Sequence, residues 1–304
     1  FAASTTPASP ALSRNTAAAA PDLNESLAAI ESALDQQRQK LGIPGVSLVI
    51  VKDDKVIYMK GLGVKDFEQK LPVTPDTLFA IGSATKAFTS MAAVMSADEG
   101  KLSLDDSPKK LLPYFKLYDP EADAKITIRD LLSHRSGLNR TDLAMVTGQL
   151  NREELIRVAG MAKHTAKLGE KFQYQNIMYT AAGEAVARAQ NSTWDKVVAD
   201  KIFKPLGMKA TVTTDAAMQQ SPDFSYGYEY SLSTKQTRRL PMREIPAAAP
   251  AGAINSNARD LAQWLMLMLG GGVIEALADE TVPTLMGMPW LWEVTVGQVY
   301  EENN

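Results

Sequence analysis

Ser83 and Lys86, three residues apart, open a stretch in which the lysine is the only charged side chain as far as Met95. The residues after Gly82 are rich in Ala and Met and run to Gly100, which predicts a helix beginning near Ser83 and ending at that glycine. Helical residues three apart share a face, with Cβ atoms about 5–6 Å from one another, so the Lys86 side chain can fold back to the Ser83 hydroxyl. A nucleophile then stands beside a base. A free serine is a weak nucleophile, and a lysine at its ordinary pKa of about 10.4 stays protonated at neutral pH. Apolar neighbours and the positive end of a helix both disfavour the ammonium, and the N–H groups there can hold a developing oxyanion.

The spacing alone is weak evidence, because about one S-x-x-K is expected by chance in a chain of this length. A second one, Ser107-Pro108-Lys109-Lys110, follows Asp105-Asp106, carries a helix-starting proline and reads as a solvated loop. Composition removes other chemistries. The 304 residues include no cysteine and only two histidines, His134 and His164, so thiolate chemistry is excluded and a nitrogen- and sulfur-ligated metal site is not expected. No metal and no cofactor is called for, and both histidines read as structural. Neither G-x-S-x-G nor H-E-x-x-H occurs. With 45% hydrophobic residues, 22% charged residues and a net charge of −3, the chain is ordinary for a globular protein and has no basic surface suited to nucleic acid. Its longest nearly apolar run, Trp264 to Ile274, is too short to span a bilayer and contains three consecutive glycines.

These residues need elements to position them. Residues 1–21, rich in Ala, Ser, Thr and Pro, read as a flexible leader, and the lack of an initiator Met suggests an exported protein after signal removal. Residues 22–41 read as an amphipathic helix, and 46–51 with 56–59 as a β-hairpin. From about 75 to 205 the chain reads as almost all helix and loop, with helices near 126–132, 151–162, 177–190 and 193–203. Further on, a helix is expected at 257–269 and a strand at 291–296. The division is an α/β region from residues 22–74 and 206–304, with a mostly helical region at 75–205. The methionines at 266, 268, 286 and 288 read as core filler.

In order along the chain, Phe79 to Phe88, Ile126 to Leu138, Gly169 to Asn176, Lys201 to Met208 and Ser256 to Ala262 resemble segments of the serine β-lactamase and penicillin-binding-protein superfamily. The branch they resemble is the class C β-lactamase-like one, which also holds D-peptidases and esterases. Ile126-Thr127-Ile128-Arg129-Asp130-Leu131-Leu132-Ser133-His134-Arg135-Ser136-Gly137-Leu138 is similar to its ITIRHLLTHTSGL signature, and Tyr174-Gln175-Asn176 to its Y-x-N motif.

The resemblance implies an α+β fold, in which an α/β sandwich with an antiparallel sheet meets an all-helical region, with the site in the cleft between them. It also implies roles. Ser83 would be acylated, Lys86 would govern its proton, and Tyr174 would relay a proton to the leaving group and activate water. Asn176 would bind a substrate amide and steady Lys86, and the Ser83 N–H would join the oxyanion hole. The expected activity is hydrolysis of a β-lactam, a D-amino-acid peptide or a small ester, with a small-molecule or short-peptide substrate and no statement about oligomeric state. The alternative is a non-catalytic, penicillin-binding-like protein that holds a peptidoglycan fragment or protein partner. The family's K-T-G-like motif is not found beyond 256–262, where Thr295-Val296-Gly297 is the nearest tripeptide; the expectation is a fragment or a deletion that leaves slow turnover of the acyl-enzyme.

Overall fold

The structure, a computed structural model, describes residues 22–231 and 233–270. Helix α1 (Leu23–Lys40) ends at Gly42, which takes the left-handed conformation at φ 67°. Strands β1 (Gly45–Lys52) and β2 (Lys55–Asp66) form an antiparallel hairpin. Its turn residues Asp53 and Asp54 sit at φ 49° and 56°, the left-handed pair whose twist matches that of the flanking strands. Strand β3 (Leu71–Pro72) extends the sheet in the order β1-β2-β3.

A short strand, β4 (Phe79–Ala80), and a 3₁₀ turn at Gly82–Ala84 lead into α2 (Thr85–Asp98). Then come α3 (Pro120–Lys125), α4 (Ile128–Leu132), α5 (Asp142–Val146), α6 (Arg152–Gly160) and α7 (Asn176–Ala189). Capping boxes begin two of these, Thr127 with Asp130 on α4 and Asn151 with Glu154 on α6. Helix α8 (Trp194–Val198) runs into a π-helical turn at Ala199–Phe203. After α9 (Asp215–Met218) come the hairpin of β5 (Tyr228–Ser231) and β6 (Gln236–Arg239), then α10 (Ala249–Gly252), β7 (Asn255–Ser256) and α11 (Ala258–Leu269). The chain is thus a mixture of helices and small antiparallel sheets. The leader at 1–21, the strand expected at 291–296 and the Thr295-Val296-Gly297 tripeptide lie outside the described residues.

The core is built on α2 and α7. Ala92, Ala93, Ala181, Ala182 and Ala185 are fully buried, and such small side chains let two helices approach closely. Larger groups fill the flanks, with Phe88 stacked on Trp264 at 4.0 Å between ring centroids and edge-on to Phe203 at 5.8 Å. Buried polar groups are tied in chains. Trp194 Nε1 donates to Thr89 Oγ1 at 2.9 Å, and Thr89 Oγ1 donates to the Pro250 carbonyl at 2.7 Å. Those two bonds fasten α8 and α10 to α2.

The segment entering Ser83 is fixed by residues far along the chain. Ala80 pairs with Asn255 and Phe79 with Ser256, while Ile81 N–H donates to the Ile254 carbonyl at 3.0 Å. Asp223 accepts from Lys65 Nζ, Thr74 Oγ1 and Thr77 Oγ1 at 2.6–2.7 Å, and Leu78 N–H donates to the Asp223 carbonyl. A second carboxylate, Asp260, accepts at 2.8 Å from Ala210 N–H, Thr211 N–H and Thr211 Oγ1.

Helix α7 reaches α10 through Gly183, where an added Cβ would fall inside van der Waals contact of Pro250 Cβ and 3.2 Å from Trp194 Cδ1. Gly183→Ala would gain up to about 1 kcal/mol of helix propensity but overpack this contact at a cost of roughly 1–3 kcal/mol. Net destabilisation is expected, read as a lower denaturant midpoint with an unchanged slope. A higher midpoint would mean that α10 yields freely.

Candidate active site

Ser83 is the middle residue of the 3₁₀ turn and is exposed, whereas Lys86, one turn later on α2, is fully buried. Gly82 takes φ 52°, a conformation that costs an L-residue about 1–2 kcal/mol, although a Cβ there would meet nothing within 4 Å. Glycine is needed for the bend rather than for space. The turn puts the Ser83 N–H at the head of a helical segment, where the first donors lack intrahelical acceptors.

Lys86 Nζ donates to Ser83 Oγ at 3.1 Å and to the Ala251 carbonyl at 2.7 Å. Tyr174 OH donates to the same Ser83 Oγ at 2.6 Å. The three residues singled out from sequence therefore meet at one oxygen. Lys86 also lies 4.8 Å from the centre of the Tyr174 ring and 5.6 Å from that of Tyr179. Burial pulls the Lys86 pKa down to about 7; the Asp142 carboxylate opposes this and Arg140 adds to it. A base that is half deprotonated near neutrality results, and desolvation outweighs both neighbouring charges.

Asn176 is the first residue of α7, and its Nδ2 donates to Asp142 Oδ1 at 3.0 Å. The sequence reading has Asn176 steadying Lys86, but the second anchor of Lys86 is the Ala251 carbonyl. Asp142 is itself held by Arg140, whose Nε and Nη2 donate to Oδ2 at 2.9 and 2.7 Å, and the Arg140 guanidinium lies 5.3 Å from the Tyr174 ring centre. A cation thus stands beside the phenol, as any sharing of its proton requires.

Sequence reasoning missed Arg140, Asp142 and Ala251. The first two sit in the four residues after the Ser136-Gly137-Leu138 signature, close enough in sequence to have been considered. Ala251 acts through its backbone and leaves no side-chain signal. His134 was read as structural, and it forms a wall of the site. It occupies φ 59°, its ring lies 4.5 Å from that of Tyr174, and its Nδ1 accepts the Gln175 N–H at 3.0 Å. Burial and the nearby Lys86 hold its pKa down to about 3, so it is a neutral spacer behind the tyrosine. Gln175 caps α7 with its side chain on Ile177 N–H, which points the Tyr174-Gln175-Asn176 corner at Ser83. The second S-x-x-K forms a short 3₁₀ turn at Pro108–Lys110 with Lys110 paired to Asp106, away from this constellation. Among the described residues, no group of three or more His, Asp or Glu is gathered as a metal site, and no helix is long and apolar enough to cross a membrane.

Comparison with known proteins places this geometry. Protein flp of Staphylococcus aureus is 32% identical over 249 residues, covering 81% of this chain and 49% of that protein. Unguisins hydrolase ungD' of Aspergillus campestris is 30% identical over 237 residues, covering 75% of this chain and 44% of that protein. The chain spans about half the length of these relatives. The octameric penicillin-binding protein homologue of Pyrococcus abyssi superposes with a TM-score of 0.73 at 29% identity, over 88% of this chain and 59% of that one, and the fold is β-lactamase/transpeptidase-like. A family model described as Beta-lactamase matches residues 30–300, and the chain accordingly belongs to the Beta-lactamase family, within the serine β-lactamase and penicillin-binding-protein superfamily.

Proposed function

We propose that the protein is a serine hydrolase that works through an ester on Ser83, with roles of the class C β-lactamase-like kind. The observation that carries this reading is the convergence of Lys86 Nζ and Tyr174 OH on Ser83 Oγ, at 3.1 and 2.6 Å. Neutral Lys86, or a Tyr174 phenolate beside Lys86 and Arg140, takes the serine proton as Oγ bonds to the substrate carbonyl carbon. The Ser83 N–H supports the oxyanion. When the intermediate collapses, the bond to the leaving group breaks and Tyr174 returns the proton to it. Water then adds to the seryl ester by the same route in reverse. Asn176, with its nitrogen committed to Asp142, presents its carboxamide oxygen to a substrate N–H. Substrates are a β-lactam, a D-amino-acid peptide or a small carboxylic ester, and the naming of one relative as a hydrolase supports this class.

The direct test is intact-mass analysis after exposure to a β-lactam, an alkyl fluorophosphonate and an activated ester. An adduct on Ser83 that disappears in Ser83→Ala is expected. Saturable binding of the β-lactam with no adduct from any probe would favour a non-catalytic penicillin-binding-like protein, and labelling of another serine would remove Ser83 as nucleophile.

With neutral Lys86 as the acceptor, kcat/KM should rise with pH to a plateau with a midpoint near 7. Asp142→Asn removes the negative charge that favours the ammonium, so the midpoint should move to lower pH. An unchanged or upward-moving midpoint would detach this limb from Lys86.

The same depressed pKa acts on stability. The unfolded chain binds a proton on Lys86 up to about pH 10.5, and the folded chain only up to about 7, so stability rises with pH between those values. Below 7 the full cost of the buried ammonium remains, on the order of a few kcal/mol. Lys86→Met should therefore lose turnover yet melt higher than the native protein at and below pH 7, with the gap narrowing toward pH 10. A gap independent of pH would show that the lysine is not desolvated.

A further inference from the structure

A cavity of about 360 Å³ lies between the strand entering Ser83 and the segment returning through α10 and β7. That volume falls within the range of small-molecule sites, about 300–1,000 Å³. Its walls are mainly apolar, from Phe79, Met218, Leu240, Met242 and Ile245. The carboxylates of Asp215 and Glu244 and the amide of Asn255 interrupt them, together with the hydroxyl-bearing Thr213, Thr214, Ser225 and Tyr226, and the guanidinium of Arg243 stands on the exposed rim.

Asn255 is only 1% exposed, and its Oδ1 has no hydrogen-bond partner among the described residues. Its Nδ2 donates to the Ala253 carbonyl at 3.2 Å and reaches Asp215 Oδ1 at 3.4 Å. Both are acceptors, which fixes the amide orientation and leaves the oxygen without a donor. A buried acceptor of this kind costs stability unless a ligand completes it. Burial and the neighbouring Glu244 also disfavour charge on Asp215, a strain that a cation would relieve.

The cavity approaches the nucleophile through Gly252, where a Cβ would lie 3.8 Å from the Gly82 carbonyl carbon, and the preceding residue, Ala251, anchors Lys86. We infer that this cavity is a subsite for the acyl part of the substrate and selects an apolar chain bearing a primary ammonium, an assignment that rests on the serine-hydrolase reading above. The ammonium supplies the N–H donor that Asn255 Oδ1 lacks and a counter-charge for Asp215, to which Asn255 Nδ2 already donates at 3.4 Å. An alkyl chain leaves them unsatisfied, and a carboxylate is repelled.

The test has a binding arm and a kinetic arm. In Ser83→Ala, hexylammonium should bind roughly tenfold or more tightly than hexanol, as a charge-assisted hydrogen bond implies, and hexanoate should bind more weakly than either, read by calorimetry. In the native protein, kcat/KM for the p-nitrophenyl ester of ε-aminocaproate should exceed that for p-nitrophenyl heptanoate by a similar factor. That ratio should fall toward one in Asp215→Asn and in Asn255→Leu. Equal binding of hexylammonium and hexanol, or a native ratio of one or below, overturns the subsite even if either variant fails to fold. An unchanged ratio in both folded variants does so too. A protein that hydrolyses neither ester and takes no label on Ser83, yet binds hexylammonium selectively, would refute the hydrolase reading and the acyl assignment while retaining the amine pocket.

Discussion

The site depends on a lysine held where water cannot reach it. Lys86 is fully buried, with its ammonium nitrogen between Ser83 Oγ and the Ala251 carbonyl. In water this side chain would be protonated at neutral pH; burial, opposed by Asp142 and helped by Arg140, brings its pKa down to about 7. The elements around it can be understood as the means of keeping it dry and aimed. α2 carries it and α7 covers it, while α10 gives it a carbonyl. The close approach of α7 to Pro250, permitted by Gly183, keeps that carbonyl in reach. Burying this nitrogen costs stability, and the alanine-rich packing of α2 on α7 offsets that cost.

The serine needs the opposite treatment. It is exposed at the end of β4, whose pairing with β7 and whose tie to Asp223 fix the direction from which the chain enters the turn. Gly82 then bends the backbone so that the hydroxyl faces solvent while the next turn is already buried. Only Ala84 and Thr85 separate the exposed serine from the buried lysine. A tight 3₁₀ start followed by a buried α-helix achieves this in less length than a loop would need, and it leaves the Ser83 N–H available.

Much of this was legible in the residues. The Ala- and Met-rich run of α2, the hairpin of β1 and β2, and the helical stretches of α4 and α6 are local properties, and their boundaries agree with the structure to within about two residues at most ends. The approach of Lys86 to Ser83 was legible from side-chain type and helical spacing, and Tyr174 only from the resemblance of Tyr174-Gln175-Asn176 to the Y-x-N motif. What was hidden acts through the backbone or through distant pairing. Ala251 holds Lys86 from 165 residues away with a carbonyl that every residue possesses. The pairing of β4 with β7 is two residues long on each strand, too short to leave a pattern. Asn176 is a related case, since the Y-x-N resemblance pointed to it but only the fold shows that its amide nitrogen is spent on Asp142.

Lys86 and Tyr174 meet at a single oxygen. Both contact Ser83 Oγ, and the lysine nitrogen lies 4.8 Å from the tyrosine ring, so a proton removed from either changes the other. With both groups protonated, each donates to Oγ and neither can accept the serine proton. Removing one proton creates an acceptor, whether neutral amine or phenolate. Arg140 discourages the ammonium form of Lys86, whereas Asp142 favours it. The Arg140–Asp142 pair therefore acts on the proton of Lys86. It does so from the stretch after Leu138, Arg140 in the loop and Asp142 at the start of α5, so the geometry of that stretch bears on the Lys86 nitrogen that meets Ser83 Oγ.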